Sequence, residues 1–584
     1  MPQAQAHSPP TEATALAALT QQLADGNNAY DPELYLARAR VYLDLDYPDL
    51  AAGDAYRAVL LCDYLRDYSD EGEISLDSEE EKPSSDATPS SQSSENSEDE
   101  DEDEDEDEGP RSDLEEFHAA TEALTHLRAS GTPSTLLPHL EEASLHLLCL
   151  SLLRVGCSTD ATHYLRLGQR RFPSSPHFPA LISSLPATPS TGRARRFVYP
   201  WNHHEPDRFS AETVSYLNTH IVPRSSAAVE VRVVNLPLLS ETAEVLGETK
   251  HLGVFALRDI APGELCMAEE SALTVVTDPS EGGLCEYCGS RWRAPPQRSR
   301  PMLKLPGQCA PASSQVPDTP EPQRETFTCD LCADAEAAGI EAVVPTWCSA
   351  ACRDKAMAKY HPALCSRPIA PLHRAAQNKS SSITTGTQAG GTVYALLLLK
   401  TFAMALVQNT HPLSLEETRF LYGVPPVEEG DLRIGWGYEE NIRSALSILE
   451  ALRIDVFSGR HPSLAPSSDG EWWDTWVINT LLAKFRGVAS GRQNEAGETE
   501  AAAAHTLYSL VNHDCEPSVR WECAGVMKFW GEGKGVKRGE ELHSCYCDKS
   551  LPVKERREWM MGCLGGACMC ARCLREEKGE REKN

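Results

Sequence analysis

Apolar residues recur three or four apart through DPELYLARARVYLDLDYPDLAAGDAYRAVLLCDYL, Asp31 to Leu65, with a break at Tyr47-Pro48. That spacing predicts two helices and a short turn. The same period returns in SLHLLCLSLLRVGCSTDATHYLRLGQRRFPSS, Ser144 to Ser175, broken between Gly156 and Asp160 and ended by Phe-Pro. After a Pro- and Ser-rich stretch the pattern changes. AAVEVRVVNLP and HLGVFALRDIAPGELCMAEESALTVV read as strands, a Cys-rich block spans Cys285 to Cys365, helical spacing runs from Tyr394 to about Gly487, and strands return from Ser518 to Tyr546. This order predicts an α+β fold with insertions and excludes a doubly wound sheet.

Charge divides the helical part. The net charge is -33, and residues 67–116 hold 24 acidic groups against Lys82 and Arg111, so that segment alone carries 22 of the excess negative charges. It has almost no apolar residues and is expected to be disordered, a solvated spacer or a docking strip for basic partners such as histone tails. On either side of it, helix, turn and helix with Ala and Tyr on the second helix resemble the tetratricopeptide repeat; two unrelated hairpins are the alternative. No run approaches 18 apolar residues and MPQAQAHSPP is unlike a signal peptide, so a soluble intracellular protein without membrane contact is expected.

Twenty cysteines in a reducing compartment predict metal or redox chemistry instead of disulfides. Cys285-x2-Cys288, Cys329-x2-Cys332, Cys348-x3-Cys352 and His361-x3-Cys365 offer seven thiols and one imidazole in short pairs, the donor set of two tetrahedral zinc ions. Cys309, in the long spacer between the first two pairs, is surplus. The block holds nine basic and nine acidic residues, so it lacks the charge for a phosphate backbone and no direct nucleic-acid binding is expected.

Near the end, GGACMCARCLRE supplies Cys568, Cys570 and Cys573, three thiols in need of a fourth. Cys515, in YSLVNHDCEPSVRW, can complete a closed four-thiolate zinc site. Alternatively Cys515 is a nucleophile and His513 its base. There is no Gly-x-Ser-x-Gly, P-loop or His-Glu-x-x-His, and GEGKGVKRGEE at Gly531 reads as a hairpin turn.

These motifs, in this order, resemble the SET and MYND family of protein-lysine methyltransferases. VNHDCEPSV is similar to the Asn-His-x-Cys-x-Pro-Asn signature of the SET domain, GVFALRDIAPGE (Gly253 to Glu264) to its N-terminal glycine-containing loop and strand, and GEELHSCYCD (Gly539 to Asp548) to the strand that ends in a catalytic Tyr. WCSAAC and KYHPALC resemble the MYND finger, and FRGVASGRQ and LPVKERREWM the fungal branch. The implied organisation is a helical repeat-like region at 1–68 and 117–180 around the acidic segment 69–116, a linker at 181–224, SET halves at 225–284 and 501–550, a MYND finger at 285–365, a helical insert at 366–500 and a post-SET tail at 551–584.

The resemblance implies methyl transfer from S-adenosyl-L-methionine to a lysine amine of a histone or another protein, in the nucleus, the cytoplasm or both, with two zinc ions in the finger and one in the tail. By motif position Tyr546 is the catalytic Tyr, Asn512 and His513 contact the cofactor, and Lys250, His251 and Leu252 belong to a loop along its methionine end. The finger and the repeat-like helices imply protein partners. Four positions depart from the pattern: His251 replaces the first Gly of Gly-x-Gly, Ser518 the last Asn, and Leu564 and Gly566 the usual aromatics before the terminal thiols. These departures leave an adaptor reading open, in which the fold binds partners without catalysis.

Overall fold

A computed structural model describes residues 10–24, 28–74, 137–186, 188, 190, 192–195, 199–239, 245–292, 326–377, 391–422, 433–462, 470–494, 498–523, 525–564 and 567–581. It is a mixed α+β structure in two compact units, Met1–Ser190 and Thr191–Asn584.

The first unit is helical. α1 (Pro10–Ala24), α2 (Pro32–Asp44), α3 (Pro48–Ile74), α4 (Leu137–Val155), α5 (Ser158–Arg171) and α6 (His177–Ser183) pack in sequence. Asp31 caps α2 by accepting the Glu33 N–H at 2.9 Å, with Pro32 in the first turn where its missing N–H costs nothing. Gly156, at φ 97°, turns the chain between α4 and α5 where other residues would be strained. α3 packs on α4 and Arg66 pairs with Glu141 across them at 3.0 Å, so the helices on both sides of the acidic segment form one body. α3 continues to Ile74, into the stretch expected to be disordered, because extending a formed helix adds one hydrogen bond per residue. The acidic run itself lies outside the described residues.

Among the described residues, the second unit carries four antiparallel sheets. β1 (Gly192–Arg195) pairs with β6 (Arg433–Trp436), and β2 (Val229–Leu239) with β3 (Val245–Ala256). β4 (Leu265–Glu270), β10 (Val526–Gly531) and β9 (Val519–Cys523) form one three-stranded sheet. β5 (Leu273–Val276), β8 (Thr499–Ala504) and β7 (Ser490–Gln493) form another. Val231, Val254, Met267, Leu510, Val511 and Phe529 share the core that joins the hairpin, the first of these sheets and the 507–511 turn. The helices used below are α7 (Asp330–Ala337), α8 (Ala350–Lys359), α9 (Gly391–Gln408), α10 (Thr475–Val488), α11 (Val553–Leu564) and α12 (Ala571–Arg581).

Three expectations are corrected. Lys250 to Gly253, which the resemblance places in a loop, form strand: they pair with Asn235 to Arg232, as the strand pattern from His251 onward predicts. The expected linker 181–224 contributes β1, the buried Tyr199 and the helical stretch 211–225 to the second unit. The expected helical insert also carries strands β6 and β7.

Candidate active site and metal centres

Folding draws the cysteines of the Cys285–Cys365 block into two interleaved groups. Cys285, Cys288, Cys348 and Cys352 converge, as do Cys329, Cys332, His361 and Cys365, with all donor atoms of a group within 4.8 Å of one another. Cys288 and Cys352 each lie 3.7 Å from Cys348, sulfur to sulfur, and Cys365 lies 3.7 Å from both Cys329 and Cys332. A tetrahedron of sulfurs about 2.3 Å from its centre has edges of about 3.8 Å, whereas a disulfide needs about 2 Å. The spacing therefore fits zinc. Ser349 caps α8 by accepting the Cys352 N–H at 3.1 Å, which fixes that thiol on the first turn of the helix. Cys309 lies outside the described residues.

One carboxylate links the two groups. Glu286, between Cys285 and Cys288, accepts from Trp347 Nε1 at 3.1 Å and from the Tyr360 hydroxyl at 2.6 Å, and pairs with Lys400 on α9. Trp347 precedes Cys348 and Tyr360 precedes His361. Lys400 Nζ also donates to the carbonyls of Thr274 (2.7 Å) and Glu286 (3.0 Å), which ties the cysteine block to β5. Burial pushes the Glu286 carboxyl up, but the Lys400 ammonium outweighs it and holds the group below its usual range.

At the C-terminal end two segments cross beside β3. Residues 540–542 bond to β3, Ala256 N–H to the Glu540 carbonyl at 2.9 Å and Leu542 N–H to that of Val254 at 2.8 Å. Two residues on, Ser544 N–H donates to the Asn512 carbonyl and Asp514 N–H to that of Ser544, both at 2.9 Å, so 512–514 runs parallel to 543–545. Ser518, where the resemblance has Asn, closes the crossing by accepting the His543 N–H at 2.9 Å.

The crossing brings Leu252, Asn512, His513 and Tyr546 together. Asn512 Nδ2 donates to the Leu252 carbonyl (3.2 Å) and to Glu541 Oε1 (2.6 Å). Both partners are acceptors, which fixes the amide and leaves Oδ1 as what Asn512 presents to a ligand. A side chain at Gly253 would collide with the Glu541 carboxylate, so the glycine permits this approach. Tyr546 donates its hydroxyl to the Val511 carbonyl at 2.6 Å and its N–H to His513 Nδ1 at 3.0 Å. Lys250 and His251 lie further along the hairpin, Lys250 exposed and His251 partly so.

Cys515, Cys568, Cys570 and Cys573 form the third group; Cys515 is 3.6 Å from Cys573 and 3.9 Å from Cys568. The fully buried Arg556 donates to Cys573 at 3.5 Å and to Glu576 at 2.6 Å, placing a positive charge where four thiolates need one. His513 Nε2 is 3.3 Å from Cys515, the contact a nucleophile and base would make, but Cys515 is 1% exposed and enclosed by the other three thiols. His513, Cys515 and Cys547 also cluster. Nδ1 accepts the Tyr546 N–H, so the neutral ring carries its proton on Nε2 and donates to the Cys515 sulfur; in that tautomer it does not ligate a metal.

Glu541, Glu286, Arg556, Cys545, Cys547 and the buried Glu269 escaped sequence reasoning. Glu269 accepts the N–H groups of Leu507 (2.7 Å) and Tyr508 (2.9 Å), anchoring the turn that leads into Asn512. Burial pushes its carboxyl up to about 7 against those donors. Leu564 ends α11 and Gly566 lies outside the described residues.

No family model matches the chain. Among curated proteins it is 28% identical over 153 residues to a SET and MYND domain-containing protein of Dictyostelium discoideum, covering 24% of this chain and 27% of that protein. It is 36% identical over 74 residues to the histone-lysine N-methyltransferase SET5 of Vanderwaltozyma polyspora (12% and 15%). With the histone-lysine N-methyltransferase ATXR4 of Arabidopsis thaliana it shares 33% over 81 residues (13% and 25%). These relatives are named as a SET and MYND domain protein and as histone-lysine methyltransferases. The similarity supports a SET-domain lysine methyltransferase family, and the chain spans about a quarter or less of the length of the curated relatives it matches.

Proposed function

We propose that this chain is an S-adenosylmethionine-dependent protein-lysine N-methyltransferase of the SET type. The observation that carries the reading is the crossing of 511–515 with 540–546, which sets the Tyr546 hydroxyl, the Asn512 amide and the Glu541 carboxylate beside the Leu252–Gly253 backbone. These groups are mostly oxygen acceptors, and acceptors suit a sulfonium cation and a lysine amine. S-adenosylmethionine, when bound, supplies an electrophilic methyl group. Leu252, Asn512 and His513 would hold the cofactor, with Lys250 and His251 toward the free end of β3. The Tyr546 hydroxyl, oriented by Val511 and His513, would contact the reacting methyl and amine.

The two finger groups are read as a MYND finger with two zinc ions inserted in the SET domain, and the Cys515 group as a post-SET zinc site. The helical unit is read as tetratricopeptide-like and as a surface for protein partners. The relatives' names favour a histone substrate, with a non-histone protein as the other outcome of the substrate search; the place of action is read as the nucleus, the cytoplasm or both.

The test uses the full zinc-loaded chain, labelled S-adenosylmethionine, and histones beside a panel of lysine-bearing proteins. Label is expected on lysine, and Tyr546→Phe is expected to lower turnover by about 100-fold or more while cofactor affinity holds. Absence of lysine label with wild-type protein overturns the reading in favour of a non-catalytic adaptor. Unchanged turnover in Tyr546→Phe would overturn the role of Tyr546 and leave the methyltransferase reading standing.

A further inference from the structure

Cys545 and Cys547 belong to none of the three tetrahedral groups, yet they bracket Tyr546. Their sulfurs are 3.9 Å apart, and the Cys545 thiol also reaches the Cys547 carbonyl at 3.0 Å. Cys547 is 3% exposed and Cys545 partly exposed, so one residue of the pair is open to solvent in part and the other is enclosed. Metal binding does not account for the pair: the third member of its nearest cluster is His513, whose tautomer excludes ligation, and Cys515 is already held by Cys568, Cys570 and Cys573. What remains is a dithiol at the residue on which the proposed chemistry depends.

We propose that Cys545 and Cys547 are a peroxide-sensitive pair that closes a reversible disulfide across Tyr546 and thereby switches the active centre off. The thiol chemistry stands on geometry alone; its effect on activity rests on the methyltransferase reading. The Cys545 thiol loses its proton and the thiolate attacks one peroxide oxygen; the O–O bond breaks, the sulfur becomes a sulfenic acid, and the departing hydroxide takes up that proton as water. The Cys547 thiol then gives up its proton and attacks the Cys545 sulfur. The S–O bond breaks, and the departing hydroxide takes that proton as a second water. Two thiols and one hydrogen peroxide give one disulfide and two waters, and a dithiol reductant reverses the change.

A disulfide requires the sulfurs to approach from 3.9 Å to about 2 Å with a single residue between them, so the backbone at Tyr546 must tighten. Tyr546 is positioned by two bonds, its N–H to His513 and its hydroxyl to Val511. Moving the backbone there disturbs both.

The experiment treats the full zinc-loaded chain with one equivalent of hydrogen peroxide and reads three quantities: the mass of the peptide carrying both cysteines, zinc released to a chromogenic chelator, and methyl transfer. The expected result is a peptide lighter by two hydrogens, zinc retained, methyl transfer lost, and recovery with dithiothreitol. Cys545→Ser protein should form no such bond and stay active through the treatment. Disulfides among Cys515, Cys568, Cys570 and Cys573 with zinc released, free thiols at 545 and 547, or a closed bond with unchanged activity would each overturn the proposal. A reduced protein with no methyl transfer at all would count against the methyltransferase reading instead, and the mass and zinc readouts would still decide the thiol chemistry.

Discussion

His505 shows how much a single buried group can set the pH response. It is 0% exposed, its ring lies edge-on to Tyr508, and neither ring nitrogen has a hydrogen-bond partner among the described residues. Burial lowers its pKa from 6.5 to about 4. The unfolded chain therefore binds a proton between those values that the folded chain refuses, and stability is lost as pH falls from about 6.5 toward 4. At pH 5 the loss is about 2 kcal/mol. His505→Phe should remove it, so the variant should melt higher than wild type at pH 5 and nearly alike at pH 8; equal pH dependence of the two melting curves would contradict the assignment. Such a residue is invisible in sequence, where it is one of 18 histidines. The convergence of the paired cysteines was legible because their donors sit in short motifs, and the same kind of motif singled out Asn512 and Tyr546. Glu286 and Glu541 were not, because their partners, Trp347 and Lys400 for one and Asn512 for the other, lie far along the chain.

Elements are held together by a few buried polar contacts. The Glu286 carboxylate joins the turn between Cys285 and Cys288 to the approaches of Cys348 and His361, and Lys400 fastens that assembly to β5 and α9. Glu286→Gln leaves a buried ammonium without its counter-charge, and the expected cost is about 3–5 kcal/mol. Adding Lys400→Met should restore part of it, as denaturant titration of the single and double variants would measure. Full additivity of the two substitutions would mean the residues do not act as a pair. At this scale the sequence was partly misleading. Ala501 to Ala504 would favour helix by propensity, yet they form the centre of a sheet between β5 and β7, where small side chains let α9 pack close. For the Lys250–Gly253 segment the local pattern from His251 onward pointed to strand and the resemblance to loop, and the pairing with Arg232 to Asn235 follows the local pattern.

For the whole molecule, the two units give two separate expectations. Met1–Ser190 has its own helical core and contributes no member to the metal-ligand groups among the described residues; all of these lie in the second unit. A strong chelator should therefore abolish the melting transition of the second unit and leave that of the helical unit in place. Elemental analysis should give three zinc ions per chain, and a single transition untouched by chelation would contradict the metal assignment. The fold class and the order of the segments were legible from the change of hydrophobic period and the spacing of the cysteines. The acidic run and the long finger spacer lie outside the described residues.

The central claim is that the crossing at Asn512 and Tyr546 binds S-adenosylmethionine, and calorimetric titration of the zinc-loaded full chain tests it most directly. Saturable binding at one site per chain, weakened by Asn512→Ala, is the predicted result. A flat titration with the zinc sites filled would contradict it.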